Sequence, residues 1–402
     1  MDDVRRPLRI LHCPTNVGSN PQGLARAERE LGLESSAVAF RSHRFQTPPD
    51  EVLWQPSDGR IRCEIRRWQL LRRALRDFDV VHFNFGSSIL PERMPWHDPW
   101  MQSQPWPLRV AYALYAGLFE QRDLRWLKRA GIGIVATYQG DDARQGDYSR
   151  DHFETSIAGE VEPGYYTDAK DRDIRRRIAR VAHLADQVYA LNPDLLHVLP
   201  AGAEFLPYAH VDSREWQPAE QTPGRNERPV ILHAPTHRGV KGTGHLLAAV
   251  ERLQSEDGLD FEFVLIENMP YEEACRQYRR ADLLVDQLLC GWYGGLALEL
   301  MALGKPVICY LRESDLSFLP SEMRADLPII NADPRTIYPV LRSWLTDRRG
   351  ELAERGQRSR HYIETWHDPR TIAERLQQRY RDILAGKARD KTPGVAVRSN
   401  TL

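Results

Sequence analysis

The chain has 402 residues, which at about 150 residues per domain points to two or three domains. Lys plus Arg (55) and Asp plus Glu (56) nearly cancel, giving a net charge of -1, and 42% of residues are apolar. This balance excludes a disordered or low-complexity chain and argues against a dedicated nucleic-acid binder, which carries a basic surplus.

Cys13, Cys63, Cys275, Cys290 and Cys309 are odd in number and form no C-x-x-C pair. That argues against a disulfide framework and a structural zinc site, and suits a reducing, cytoplasmic setting. The N-terminus lacks the apolar segment of a secretory signal, and no apolar run reaches the roughly 18 residues of a membrane span. The expected protein is soluble, with at most peripheral contact at the inner face of a membrane.

In chain order, LRILHC (8–13) reads as a strand, followed by a loop with Gly18, a helix over 24–32 and a strand over 36–40. Ile61 to Phe78 reads as a basic helix, 79–85 as a strand, Leu108 to Ala130 as one long helix and 131–138 as a strand. A helix over Ile174 to Leu184 and a strand over 187–191 close the first pass. A polar, linker-like stretch runs from Asp212 to Arg228. Beyond it come strands over 228–235, 261–266, 282–289 and 305–311, with helices over 244–254, 271–280 and 294–304 between them. Thr336 to Trp344, Arg349 to His367 and Pro369 to Ala385 read as helices, and the last residues as a flexible tail. Strands alternating with helices predict an α/β chain of two Rossmann-like domains facing across a cleft.

Ligands of open parallel sheets bind beyond the C-terminal strand ends, so the loops there carry the functional expectations. The first, PTNVGSNPQG (14–23), is not GxGxxG, which weakens a nicotinamide oxidoreductase. In HAPTHRGVKGTGH (233–245), Arg238 and Lys241 stand among glycines ahead of a helix, as a diphosphate site requires. A solvated basic loop would look the same.

The segment GWYGGLALELMALGKPV (291–307) is the most informative. Its helix is apolar apart from Glu299, and a buried carboxylate needs donors. Ribose hydroxyls would supply them, as would an internal Arg or Lys. Gly294 and Gly295 leave helix-start N–H groups for a phosphate. In TYQGDDARQGD (137–147), Asp141 and Asp142 could act on acceptor hydroxyls or serve as turn residues. Asp171-Arg-Asp173 reads as surface despite its D-x-D pattern, and no H-E-x-x-H is present. His82 and His233 suit structural hydrogen bonds, whereas His237 could touch phosphate. Three tryptophans in PWHDPWMQSQPWPL (95–108) precede an apolar helix, a composition for membrane docking, for a lipid-linked or saccharide acceptor, or for a packed domain face.

These residues resemble the GT-B glycosyltransferases, specifically the retaining family-4 type. HRGVKGTGHLLAAVERL (237–253) resembles that family's donor-phosphate loop. DLLVDQLLCGWYGGLALELMALGKPVICY (282–310) resembles its Glu-x7-Glu region, and ATYQGDDAR (136–144) its first-domain loop. The resemblance implies a first, acceptor-side domain over 1–211, a linker over 212–228 that closes as a hinge, and a donor domain over 229–365. It also implies a helix over 366–385 returning to the first domain, with a tail over 386–402.

By the same resemblance Arg238 and Lys241 hold the donor diphosphate, Glu299 the ribose, and Gly294 and Gly295 the phosphates and sugar, with Gly18 and Glu267 as further donor contacts. Tyr138, Gln139 and Arg144 fall on the acceptor side, and Asp141 and Asp142 join the catalytic set. Gly291 stands where the first Glu of the motif is usual, with Asp286 or Gln287 as nearby substitutes, and Gln139 stands where a His is usual. The implied activity is hexosyl transfer in polysaccharide biosynthesis, from a nucleotide sugar to a glycan, lipid-linked or other hydroxyl acceptor, with retention and without metal or cofactor. Rival readings are a nucleotide-sugar epimerase of the same fold and a catalytically silent binding protein.

Overall fold

The computed structural model describes residues 6–42, 47–94, 96, 98–218 and 222–391. Its first sheet contains β1 (Arg9–Cys13), β2 (Glu34–Ala39), β3 (Glu51–Val52), β4 (Val80–Asn84), β5 (Gly133–Tyr138), β6 (Gln187–Ala190) and β7 (Glu204–Phe205), in the order β3-β2-β1-β4-β5-β6-β7. The second contains β8 (Val230–His233), β9 (Glu262–Leu265), β10 (Leu283–Val285), β11 (Val307–Cys309) and β12 (Ile330–Asn331), in the order β12-β11-β10-β8-β9. All pairings are parallel. Strands such as β4 and β8 are buried along their whole length, because helices cover both faces. This is the two-domain GT-B architecture. The strand order reverses between β1 and β4 in the first sheet and between β8 and β10 in the second. In open parallel sheets it is at such reversal points that ligand crevices form.

The expected helix over 108–130 is two helices, Trp106–Phe119 and Arg122–Ala130. Gln121 takes a left-handed conformation (φ 55), and the buried Glu120 turns inward to accept from Arg93 N–H (2.9 Å) and pair with Arg180 (2.8 Å). The helix expected from Ile174 starts at Asp168, where the Thr167 hydroxyl accepts the Lys170 N–H (3.3 Å). Asp171 is therefore not a surface residue. It is fully buried and accepts the N–H groups of Gly146 and Asp147, both at 3.0 Å.

The last helix, Pro369–Lys391, returns to the first sheet. Its Tyr380 hydroxyl donates to the buried Glu28 (3.1 Å) and lies 2.8 Å from His82 Nδ1. The tail expected from 386 is helical to Lys391, and Lys387 is tied to Asp186 and to the Ile132 carbonyl, both at 2.8 Å. The rest of that tail lies outside the described residues.

Candidate functional site

After β8 the chain enters a short helix, Arg238–Lys241, started by His237 Nδ1 accepting the Val240 N–H (3.3 Å) and ended by Gly242 at φ 73. This turn points Lys241 inward. Its Nζ donates to Asp286 Oδ1 (2.7 Å) and Gln287 Oε1 (2.9 Å) just beyond β10. Burial works against the ammonium charge, but Asp286 outweighs it and holds the pKa above the ordinary lysine value. Among the described residues two of the three ammonium N–H groups are committed and one is not. Arg238 instead lies at the surface, its side chain 57% exposed and forked onto Glu267 (2.8 and 2.5 Å). The two cations expected on one diphosphate thus stand apart, and Glu267 is the counter-ion of one of them.

Beyond β10, Asp286 also accepts the Gly294 N–H (2.7 Å). That amide, expected to be open to phosphate, is already used. A Cβ on Gly294 would stand 3.2 Å from Lys241 Nζ, so glycine is what lets the ammonium approach. Gly295 faces the ring of His210, 3.4 Å from where its own Cβ would be. His210 arrives from the end of the first domain, and burial lowers its pKa to about 4. Gly291 has φ 81, and a Cβ there would meet Arg312 Nη1 at 2.8 Å. The position where the resemblance expects a glutamate is therefore closed by a guanidinium, which pairs with Asp315 (2.7 Å) and donates to the Thr155 carbonyl of the first domain (3.0 Å). Asp286 and Gln287 cannot simply replace that glutamate, since both serve Lys241.

Glu299 lies on the helix Gly295–Ala302 and is half-buried. Among the described residues it accepts no hydrogen bond and pairs with no cation, so an internal Arg or Lys does not compensate it. Burial pushes its carboxyl up to about 8. Its charge acts on Tyr271, Cys275 and Tyr278, which are spaced along the helix Tyr271–Arg280 after β9.

The first-domain loop is the opposite case. Asp142 accepts the N–H groups of Gln139 (3.0 Å) and Gly140 (2.6 Å), which folds the loop, while burial pushes its carboxyl up to about 6. Burial would raise Asp141 too, but Arg144 and the hydroxyls of Tyr165 (2.5 Å) and Tyr166 (2.6 Å) hold it below the usual carboxylate range. Arg144 bridges Asp141 (3.2 Å) to Asp194 (2.7 Å). Gln139 is buried, its Oε1 3.3 Å from where a Cβ on Gly18 would be. Tyr138, expected on the acceptor side, is 1% exposed within the core, because it points with Ile134 and Ala136 into the cluster that covers one face of the sheet. His82 and His233 are buried and bonded through both ring nitrogens. His237 caps its helix and lies 3.4 Å from Glu162.

Asp194, His210 and Arg312 escaped the sequence reading. Asp194 follows β6 and was open to the same strand-end rule. His210 and Arg312 carry no local signal, because their roles come from contacts across the cleft. Among the described residues no group of three or more His, Cys, Asp or Glu is placed to hold a metal ion.

No known protein family profile matches the sequence, and no curated protein matches it. Solved structures do share the fold. Sucrose-phosphate synthase from Thermosynechococcus elongatus is 16% identical with a TM-score of 0.55, covering 95% of this chain and 100% of its own. HepE of Anabaena, solved in complex with UDP-glucose, is 12% identical with a TM-score of 0.54 and covers 93% and 100%. A glycosyltransferase from Rickettsia africae is 12% identical with a TM-score of 0.52 and covers 94% and 99%. At these identities the likeness establishes the architecture.

Proposed function

We propose that this chain is a glycosyltransferase that moves a sugar from a nucleoside-diphosphate donor to a hydroxyl acceptor, either a saccharide or a lipid-linked one. One observation carries the reading: Glu299 is a half-buried carboxyl with no donor among the described residues, on the loop-and-helix unit that follows β10 at the switch point of the second sheet. Vicinal ribose hydroxyls would satisfy it. The remaining N–H of Lys241 and the N-terminus of the helix Gly295–Ala302 would then stabilise the leaving diphosphate. HepE bound to UDP-glucose lends the donor class support.

The stereochemistry of the reading is retention. The acceptor oxygen forms its bond to the anomeric carbon on the face from which the phosphate oxygen leaves, and the acceptor proton passes to that phosphate. Asp141 and Asp142 are each held by neighbouring donors, and the reading gives neither of them the role of base. Closure about 210–228 would bring the two crevices together and gate turnover. Metal is not required, so a chelator should leave turnover intact.

Titration calorimetry with UDP, GDP, ADP and their sugars tests the donor assignment. One nucleoside diphosphate should bind, and Glu299→Ala should weaken it at least about tenfold while the melting temperature holds. Unchanged affinity in the variant removes the ribose role.

A further inference from the structure

The helix Trp106–Phe119 (WPLRVAYALYAGLF) carries a single charge, Arg109, and Ala116 is its only fully buried residue. A helix apolar on nearly all sides is normally buried. Here Trp106, Leu114 and Leu118, at spacings that place them on one face, are 70%, 70% and 52% exposed. The helix Arg60–Asp77 lies alongside, joined to it where Trp68 Nε1 donates to the Tyr115 hydroxyl (2.8 Å). It adds Ile61 and Ile65, 79% and 52% exposed, and Leu108 of the neighbouring helix lines the same groove. Trp96 and Trp100, 52% and 38% exposed, precede the patch in the chain.

Charge says what covers this face. The helix Arg60–Asp77 holds seven arginines against its own Glu64 and Asp77 and the neighbouring Asp58 and Glu51, a local basic surplus in a chain whose net charge is -1. Arg60, Arg62 and Arg72 are exposed and line the same grooves as the isoleucines. Apolar side chains, indole rings and guanidinium groups on one surface match the interface of a bilayer with anionic headgroups, where the rings sit at headgroup level and the cations meet phosphates. An apolar protein partner would not call for the arginines.

We propose that this outer face of the first domain docks on an anionic lipid bilayer. No described helix is long and apolar enough to cross one, so the contact is peripheral. The proposal does not depend on the sugar-transfer reading, and its test needs no turnover.

The full chain is sedimented with vesicles of phosphatidylcholine alone or mixed with phosphatidylglycerol. It should pellet with the mixed vesicles, at least about tenfold less with phosphatidylcholine alone, and less again at high salt. Ile61→Glu with Leu114→Glu changes only exposed positions. It should keep the melting temperature and lower binding about tenfold. Arg62→Glu with Arg72→Glu should lower binding to the mixed vesicles while leaving the weak phosphatidylcholine binding as it was. Equal pelleting of the apolar variant and the parent overturns the proposal, as does no pelleting with phosphatidylglycerol. Sedimentation velocity supplies the remaining outcome: a dimer that the Ile61→Glu, Leu114→Glu variant dissociates, without vesicle binding by the parent, would make the face a contact between copies and overturn the bilayer assignment.

Discussion

The loops at the C-terminal ends of the two sheets use similar residues to opposite effect. In the first domain, Asp141, Asp142, Arg144 and Asp194 saturate one another and the adjacent backbone. In the second, Lys241 keeps one N–H uncommitted and Glu299 has no partner among the described residues. A closed hydrogen-bond network sets a shape, whereas spare bonding capacity in a half-buried place costs stability until a ligand fills it. The first loop is thus a closed network, and the second keeps the bonding capacity on which the proposed donor site rests.

The contrast is open to attack at several points. The largest effect should come from Lys241→Ala, which strands the buried Asp286 without its cation. A loss of about 3–5 kcal/mol in denaturant unfolding is expected, and a small loss would mean the ammonium is not structurally committed. Asp142→Ala removes the acceptor for the loop amides of Gln139 and Gly140, and should cost about 2 kcal/mol in the same experiment.

Glu299 gives a pH signature. Its carboxyl titrates at about 8 in the folded protein and near the ordinary glutamate value when unfolded. The folded state holds the proton more tightly, so stability is highest below the unfolded value and declines as pH rises toward 8. Glu299→Gln should flatten that decline, by about 2 kcal/mol at the alkaline end. Ribose hydroxyls donate to the ionised form, so nucleotide binding should release a proton and tighten about tenfold from about pH 6 to 8. Calorimetry in buffers of different ionisation enthalpy checks both. The smallest effect belongs to Arg238→Ala, whose exposed pair with Glu267 should leave the melting temperature unchanged and cost about two- to threefold in nucleotide affinity. An effect as large as that of Lys241 would show that the short helix rearranges when the donor binds.

Much of the fold was legible because buried parallel strands are continuous apolar runs and the helices between them are amphipathic. The short strands β3, β7 and β12 have too few residues for a pattern, and the break at Gln121 left no glycine or proline to announce it. Asp171 was misread because a charged helical run looks solvated until another loop presents amides to it. Within the candidate site, Glu299 was identifiable from the apolar residues on either side. The separation of Arg238 from Lys241, three residues away, was not.

The amino-acid order alone determined the alternation of strand and helix, the two-sheet division and the oddity of one carboxyl in an apolar helix, since each depends on near neighbours in the chain. Only the tertiary structure decided which polar groups remain uncommitted. Asp286 reaches Lys241 across 45 positions and Arg312 reaches Thr155 across 157, and whether a charge is matched depends on groups that folding alone brings together.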